Sequence, residues 1–424
     1  MTLTPRPPWK GKRIVLGVTG GIAAYKSIQL ARDLTRLGAE VDTVLTASAR
    51  KFVAPLSFEG VTGRRALTDL FSAEGAALHV RLGRDADVVC VAPATADFIA
   101  RAAQGRADDL LCTTLLATRA PVVVCPAMND RMYAHVQVQE NLAHLRDVLG
   151  YGIAGPAEGA LAVGEGEGPG RMLEPWQIEE AVGRALATSP VLKGRHVLVT
   201  AGPTREPIDP VRYVGNRSSG RMGYAVAQAA WRRGAEVTLV SGPSALEPPF
   251  GVTVVPVGTA EEMYEAVRSR IDGADVSVFA AAVADFRPID PRSRKVKRDE
   301  TGGELSVSLE ANPDVAFDTR EARKAGSIAV GFALETDDLL DHARAKLAKK
   351  GFDLLVANDA TEEGAGFEVA TNRVTILGAD GSVEALPLLA KEAVADEILD
   401  RVERLLTDRQ AGDSDDQAEG GEGP

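Results

Sequence analysis

The chain has 424 residues, 45% hydrophobic and 25% charged, with a net charge of −12. That length exceeds one ordinary domain and suits two. The acidic balance excludes indiscriminate nucleic-acid binding, which needs a basic surface for counterion release, and no run approaches the ~20 apolar residues that would span a membrane. Cys90, Cys112 and Cys125 show no spacing of a disulfide framework or zinc site, so a reducing cytoplasmic setting is expected.

Residues 1–11 contain Pro and basic side chains and read as a flexible lead-in. The apolar run from Ile14 to Val18 is too short for a signal-peptide core, meets Gly20 and Gly21 at once, and is expected to be a first strand. A helix should follow: residues 30–46 read LARDLTRLGAEVDTVLT, an Ala/Leu-rich helical pattern, then Gly38, then a β-branched strand. Residues 226–241, VAQAAWRRGAEVTLVS, repeat that arrangement around Gly234, and each echo follows another strand, Arg13–Val18 and His196–Thr200. Gly38 and Gly234 suit the left-handed position that ends a helix. Two βαβ openings predict an α/β protein with two doubly wound, mainly parallel-sheet, Rossmann-like domains in tandem.

Strand ends carry the candidate chemistry, because open α/β sheets bind ligands there. The first strand runs into Gly17-Val-Thr-Gly20-Gly21-Ile22 and a helix, which presents backbone N–H groups suited to phosphate. The spacing is not G-x-G-x-x-G, and Thr46 stands where a dinucleotide ribose would want a carboxylate, which argues against an ordinary NAD site. A buried strand from Asp87 breaks at Pro93 and continues as Ala94-Thr95, which should cap a helix. A third strand, Val122–Cys125, ends in PAMNDRMY. The Gly-rich run 155–170 is not expected to be regular structure and reads as a mobile flap or a plain surface loop.

The boundary between halves is expected near residues 188–194, giving a first domain at 12–188 and a second at 189–408. Residues 409–424 are Gly- and acid-rich and are expected to form a disordered tail. In the second half, Ser218, Ser219 and Gly220 precede a helix and read as side-chain caps with free N–H donors, or as nothing more than a routine capped helix. Asp285 follows the strand Val276–Ala280, where it suits a nucleotide or its Mg²⁺. Lys295, Lys297 and Arg298 concentrate positive charge in a Pro/Arg-rich loop.

The segments GGIAAYK, PATADFIARAA and PAMNDRMY resemble the flavin-dependent phosphopantothenoylcysteine decarboxylase family, within the homo-oligomeric flavin cysteine decarboxylases. That resemblance implies FMN at a subunit interface, with Gly20, Gly21 and Thr95 near its phosphate, Thr46 nearby, and Ile22, Pro93, Ala94 and Met128 as further cofactor-binding positions. It implies His79 as the active-site histidine and Asn129 as the ligand of the substrate carboxylate. The chemistry suits those residues: a cysteine carboxylate lacks an electron sink until its thiol is oxidised to a thioaldehyde, and an imidazole can help remove the thiol proton. One departure stands out. The family often carries a flap cysteine thought to donate the last proton, whereas residues 160–168 here contain none, leaving Glu165 and Glu167 as candidates by proximity.

The second half resembles phosphopantothenate–cysteine ligase through TAGPTREPIDPVRY, NRSSGRMG, AAVADFR, KVKR, NPD (312–314), GFALET (331–336) and AND (357–359), in that order. The resemblance implies that 4′-phosphopantothenate attacks the α-phosphate of CTP, and that the amine of cysteine then displaces CMP from the acyl-cytidylate. Lys295 would stabilise charge in the first step, and Asn216 and Arg212 would hold the intermediate. Ser218, Ser219, Gly220, Ala281, Ala282, Asp285, Phe332, Lys346 and Lys350 would contact the nucleotide, with Asp285 also the Mg²⁺ position. Arg298 departs from the lysine common in the family. The implied assembly is a homo-oligomer with a trimer-based flavin domain and a dimeric ligase domain, which can combine into a dodecamer, with no nucleic-acid or membrane partner. The alternative reading is an active ligase joined to an impaired or purely scaffolding flavin domain.

Overall fold

A computed structural model of the protein describes residues 4–71, 77–161, 163–164, 166–297, 304–335, 339–359 and 369–419. Glu165, Arg298, Thr336, residues 1–3 and residues 420–424 lie outside the described residues. The chain divides into two compact units, Met1–Thr188 and Ser189–Pro424.

The first unit runs β1 (Arg13–Val18), α1 (Ala24–Arg36), β2 (Glu40–Leu45), α2 (Pro55–Thr62), α3 (Leu78–Asp85), β3 (Val88–Ala94), α4 (Ala96–Ala103), α5 (Leu110–Ala117), β4 (Val122–Pro126), α6 (Asp130–Ala134), α7 (Val136–Asp147), β5 (Gly152–Ile153), β6 (Ala157–Ala160), β7 (Glu167–Arg171) and α8 (Pro175–Ala187). Its main sheet has the order β2-β1-β3-β4-β5, and every pairing in it is parallel. β3 is buried at every position, as a strand covered by helices on both faces must be. Gly38 ends α1 at φ 92°, the left-handed stop expected of it.

Two segments of this unit differ from their expected form. The lead-in is packed: Trp9 is fully buried, and the N–H groups of Arg6 and Gly11 donate to the carbonyls of Leu37 and Gly38. One aromatic ring supplies enough apolar area to hold that segment against the α1–β2 turn. The Gly-rich run forms regular structure, the antiparallel β6–β7 hairpin. Gly170 reflects close approach, since a Cβ there would lie 2.2 Å from the carbonyl oxygen of Met128.

The second unit runs β8 (His196–Ala201), β9 (Arg205–Pro207), β10 (Tyr213–Gly215), α9 (Arg221–Arg232), β11 (Glu236–Ser241), β12 (Thr253–Pro256), α10 (Ala260–Arg268), β13 (Val276–Phe279), β14 (Phe286–Pro288), β15 (Leu309–Ala311), α11 (Val315–Asp318), β16 (Ile328–Glu335), α12 (Leu339–Lys350), β17 (Leu354–Asp359), β18 (Thr371–Asn372), β19 (Thr375–Gly378), β20 (Val383–Ala385), β21 (Leu389–Ala390) and α13 (Lys391–Glu419). The main sheet has the order β12-β11-β8-β13-β16-β17-β19-β20, parallel from β12 to β17 and antiparallel at β19 and β20. Alternate residues of β8 feed opposite faces. Val197 and Val199 join the core containing α9 and α13, while Leu198 joins the core containing Met263 of α10 and Ala343 of α12.

The last helix extends through Glu419, so the acidic tail is helical as far as the structure describes it. Its first turns are anchored by Val394, Ile398, Leu399 and Val402, all fully buried. Once nucleated, a helix adds residues at little cost. Among the described residues, no helix is long and apolar enough to cross a membrane.

Candidate functional sites

In the first unit, strand order reverses direction between β1 and β3, and the crevice beyond their carboxyl ends is the default ligand position of such a sheet. The loops there are bound tightly to one another. The Thr19 hydroxyl donates to the Pro93 carbonyl at 2.7 Å and accepts from the Thr95 N–H at 3.1 Å. The Thr95 hydroxyl then caps α4, accepting from Phe98 N–H. Gly20 lies so close to the β2 loop that a Cβ would stand 2.3 Å from Ser48 Cβ, whereas one on Gly21 would meet only Thr95 Cγ2 at 3.6 Å. Thr46 is buried, and its hydroxyl donates to Val18 O and accepts from Ala49 N–H. Ile22 stands beside this knot, about two-thirds exposed.

The next strand end joins the same edge, for Ala127 N–H donates to Ala94 O and Met128 N–H to Gly170 O, both at 3.0 Å. Asn129 caps α6 with Oδ1, which accepts from Arg131 N–H, so the side-chain NH₂ is the half left for other acceptors. Lys26 on α1 reaches the stem of the hairpin, donating to Glu174 at 2.8 Å and to Met172 O at 3.4 Å. Burial works against ionisation of Glu174, but Lys26 and Arg171 outweigh it and hold the carboxyl below its ordinary range. His79 lies on α3, which packs against α5, and its Nδ1 is buried with no hydrogen-bond partner among the described residues. Glu167 is exposed at the start of β7.

In the second unit the order β12-β11-β8-β13-β16-β17 places the corresponding reversal between β8 and β13, and a cavity of about 480 Å³ opens there. Asn216, Ser218, Ser219, Gly220, Ala281, Ala282, Asp285, Phe332, Lys346 and Lys350 all line it. The serines do not cap α9 as expected. Gly220 takes the N-cap position at φ 79° with no side-chain cap, and its N–H donates to the Ser218 hydroxyl at 3.3 Å. The left-handed turn is required because α9 must start where the chain meets Gly202. Three residues on, a Cβ at Gly223 would be 2.5 Å from Ala201 Cβ, so α9 lies directly on β8 and its N-terminus faces the cavity.

Asn216 donates from Nδ2 to the carbonyls of Ala282 and Val283, at 3.3 and 3.0 Å, which leaves Oδ1 as its outward acceptor. Lys350 is paired with Asp314 at 2.8 Å. Arg212 and Lys295 do not line the cavity. Arg212 and the loop that carries Lys295 are joined elsewhere: Asp209 accepts from the N–H groups of Val211 and Arg212 at 2.8 Å and of Val296 at 3.2 Å, and pairs with the Arg212 guanidinium at 2.7 Å. Desolvation opposes ionisation of Asp209, but these donors and the Arg212 charge hold its carboxyl below the usual carboxylate range. One carboxylate therefore anchors both Arg212 and the basic loop.

The cavity also holds residues given no role from sequence, among them Arg221, Asn312, Asp314, Asn358, Asn372 and Lys391. NPD and AND were visible as motifs. Lys391 carried no local signal, because only the β18–β21 pairing brings it to this wall.

Residues 4–186 match the family described as Flavoprotein, and residues 192–406 match the DNA/pantothenate metabolism flavoprotein C-terminal domain. The chain is 46% identical over 398 residues to the coenzyme A biosynthesis bifunctional protein CoaBC of Vibrio vulnificus (strain YJ016), spanning 93% of this chain and 98% of that protein. It is 44% identical over 395 residues to CoaBC of Escherichia coli (strain K12), spanning 92% and 97%. Among solved structures, the C-terminal domain of a CoaBC protein is 43% identical and covers 52% of this chain and 100% of that one, with a TM-score of 0.44.

Proposed function

The chain belongs to the family of bifunctional coenzyme A biosynthesis proteins, and from that premise we propose that its first unit is the FMN-dependent phosphopantothenoylcysteine decarboxylase and its second the CTP-dependent phosphopantothenate–cysteine ligase. The family membership makes it an enzyme of coenzyme A biosynthesis with a flavoprotein half. The observation that carries the residue-level reading is the pair of switch-point sites, each edged by the strand-end motifs of its own half.

Gly20, Gly21 and Thr95 would hold the FMN phosphate. The fit rests on the Gly20–Gly21 turn, where Gly20 packs on Ser48 with no room for a Cβ and Gly21 beside it has only Thr95 Cγ2 within contact, leaving backbone open to a phosphate beside Thr95. Bound there, FMN supplies the two-electron redox capacity that decarboxylation of a cysteine carboxylate requires. The protein's own share is positioning and proton transfer. Asn129 offers its side-chain NH₂ to the substrate carboxylate, with Oδ1 committed to α6. His79 holds an imidazole nitrogen that is buried and has no partner among the described residues, suited to taking the thiol proton. The β6–β7 hairpin packs closely on the Met128–Asp130 turn, through Gly170 against the Met128 carbonyl and Gly168 against Asp130.

In the second unit, the α9 N-terminus and the Ser218–Gly220 turn would take the CTP phosphates, with Lys346 and Lys350 as further cations and Asp285 as a Mg²⁺ ligand. Lys295, on the loop anchored by Asp209, would stabilise charge as the 4′-phosphopantothenate carboxylate is activated, and Asn216 and Arg212 would hold the acyl-cytidylate. Exposed apolar side chains such as Tyr25 on α1 and Leu56 on α2 favour self-association of the flavin unit, in line with trimer-based contacts. We place the protein in the cytoplasm as a homo-oligomer, dimeric through its ligase units.

The test is incubation of the full chain with 4′-phosphopantothenate, cysteine, Mg²⁺ and either CTP or ATP, with all products resolved. CTP should yield CMP, pyrophosphate and 4′-phosphopantetheine. Accumulation of 4′-phosphopantothenoylcysteine would instead favour the impaired flavin half, and equal turnover of ATP would remove the CTP assignment.

A further inference from the structure

Behind the second unit's cavity, one guanidinium joins two segments that form its walls. Arg323 is partly buried and does not itself line the cavity. Its Nη2 donates at 2.8 Å to the carbonyl of Ala316 in α11, and its Nη1 donates at 2.6 Å to the carbonyl of Gly351, the residue after α12. Its guanidinium carbon lies 5.3 Å from the ring centre of Phe279 and 5.4 Å from that of Phe352, and both rings line the cavity.

The two tethered segments carry the groups that face the cavity. Asp314, the N-cap of α11, and Ala316 belong to one, and Lys346, Lys350 and Phe352 belong to the other. Asp314 and Lys350 pair between them at 2.8 Å. α11 is a single turn of four residues, too short to outweigh the cost of its own nucleation. It is held from outside, with the Val315 carbonyl accepting from the Thr319 hydroxyl at 2.6 Å and the next carbonyl, that of Ala316, accepting from Arg323. At the other tether, a cation at the carbonyl end of α12 suits the helix dipole. The depth of Phe352 is fixed as well, since a Cβ on Gly331 would lie 2.2 Å from its Cε2, so the ring rests on the β16 backbone beside Phe332. Burial is the largest influence on Arg323 and holds it below the ordinary arginine range, with Asp353 opposing and Arg320 reinforcing it. Two carbonyls and two aromatic faces offset that burial, a combination that the planar fork of arginine makes and an ammonium does not.

We propose that Arg323 is a positioning residue for the nucleotide of the second unit, setting the spacing between the Asp314 wall and the Lys346–Lys350 wall by joining α11 to the end of α12. The proposal rests on the ligase reading above, in which Lys346 and Lys350 meet the CTP phosphates. Arg323 acts through these residues and touches no substrate. Without the fork, two carbonyls lose their donor and a one-turn helix is free to shift, which loosens the cavity for ground state and transition state alike. Such a loss raises KM and leaves kcat in place.

The experiment measures pyrophosphate release from CTP by the full chain with 4′-phosphopantothenate and L-cysteine present. Arg323→Met should raise the CTP KM about tenfold, the scale of one charge-assisted hydrogen bond. Its kcat at saturating CTP and its KM for cysteine should stay within about twofold of the unaltered chain. Arg323→Lys keeps the charge but cannot span both carbonyls, so it should retain most of the rise in CTP KM, and it serves if Arg323→Met fails to fold. A folded variant with an unchanged CTP KM would overturn the proposal. So would a fall in kcat with the CTP KM unchanged, which marks a general defect of folding, and so would full restoration by lysine, which would reduce the role to charge alone. If the unaltered chain releases no pyrophosphate from CTP, the ligase reading itself fails.

Discussion

Gly20 and Gly21 are adjacent and chemically identical, yet their surroundings differ. A Cβ at Gly20 would lie 2.3 Å from Ser48 Cβ and 2.8 Å from its backbone carbon, while one at Gly21 has ordinary contact only. Gly20→Ala should therefore separate the β1 and β2 loops and yield protein without flavin absorbance, with ligase turnover retained. Gly21→Ala should bind flavin within about threefold of the unaltered chain, since nothing must move to admit one methyl group. Flavin-to-protein absorbance ratios of the two purified variants provide the check. Asp209 is a second position where one side chain carries much. Asp209→Asn removes the charge that anchors Arg212 and weakens the hold on Val296, and should lower ligase turnover about tenfold or more while flavin content stays constant. Its folded carboxyl titrates below the unfolded value, so its stabilisation is present above that value and is lost as pH falls through the folded one. The melting temperatures of the unaltered and Asn chains should thus converge as pH falls below about 4.

At the scale of elements, the β6–β7 hairpin and helix α9 explain why glycine was hard to interpret. Glycine-rich sequence suggests a flexible loop when read alone. Here Gly170 is forced by the Met128 carbonyl, and Gly220 by the Gly202 backbone, in segments that are regular. Gly170→Ala should lift the hairpin from the Met128–Asp130 turn. Decarboxylation should fall by up to about 10²-fold, the scale of a roughly 1 Å misplacement at a reacting centre, with ligation unaffected. Single-turnover assays on phosphopantothenoylcysteine would measure it. The final helix makes the complementary point. Composition marked its end as a tail, but its buried first turns, with Val394 and Ile398 against the second unit's core, decide that the backbone is already helical before the acidic stretch begins.

For the whole molecule, the consequence of two units is that one chemistry can be lost without the other. His79→Asn should reduce decarboxylation by roughly 10²–10⁴-fold, the usual contribution of a positioned acid–base group. Ligation should persist, so that phosphopantothenoylcysteine accumulates and can be measured by mass spectrometry of the products. Equal loss of both activities would show that the histidine acts on folding of the chain instead.

Much of this architecture was legible without coordinates. Local patterns carry the strand and helix types, the glycine stops at Gly38 and Gly234, and the α/β class, because backbone sterics and apolar periodicity act over a few residues. The motifs also named most of the residues that line the second cavity. Strand order was not legible, since whether a crossover returns to one side of the first strand or the other depends on which helix faces are covered. Nor was the glycine hairpin, whose reason lies in a carbonyl 42 residues away in sequence, as the Met128–Gly170 contact illustrates. The same limit hid Lys391. By itself the sequence determined two α/β halves and the chemistry at their strand ends. Only the tertiary structure decided where order reverses, which glycines touch backbone, and which distant side chains share a wall, because those depend on contacts between segments that no local pattern records.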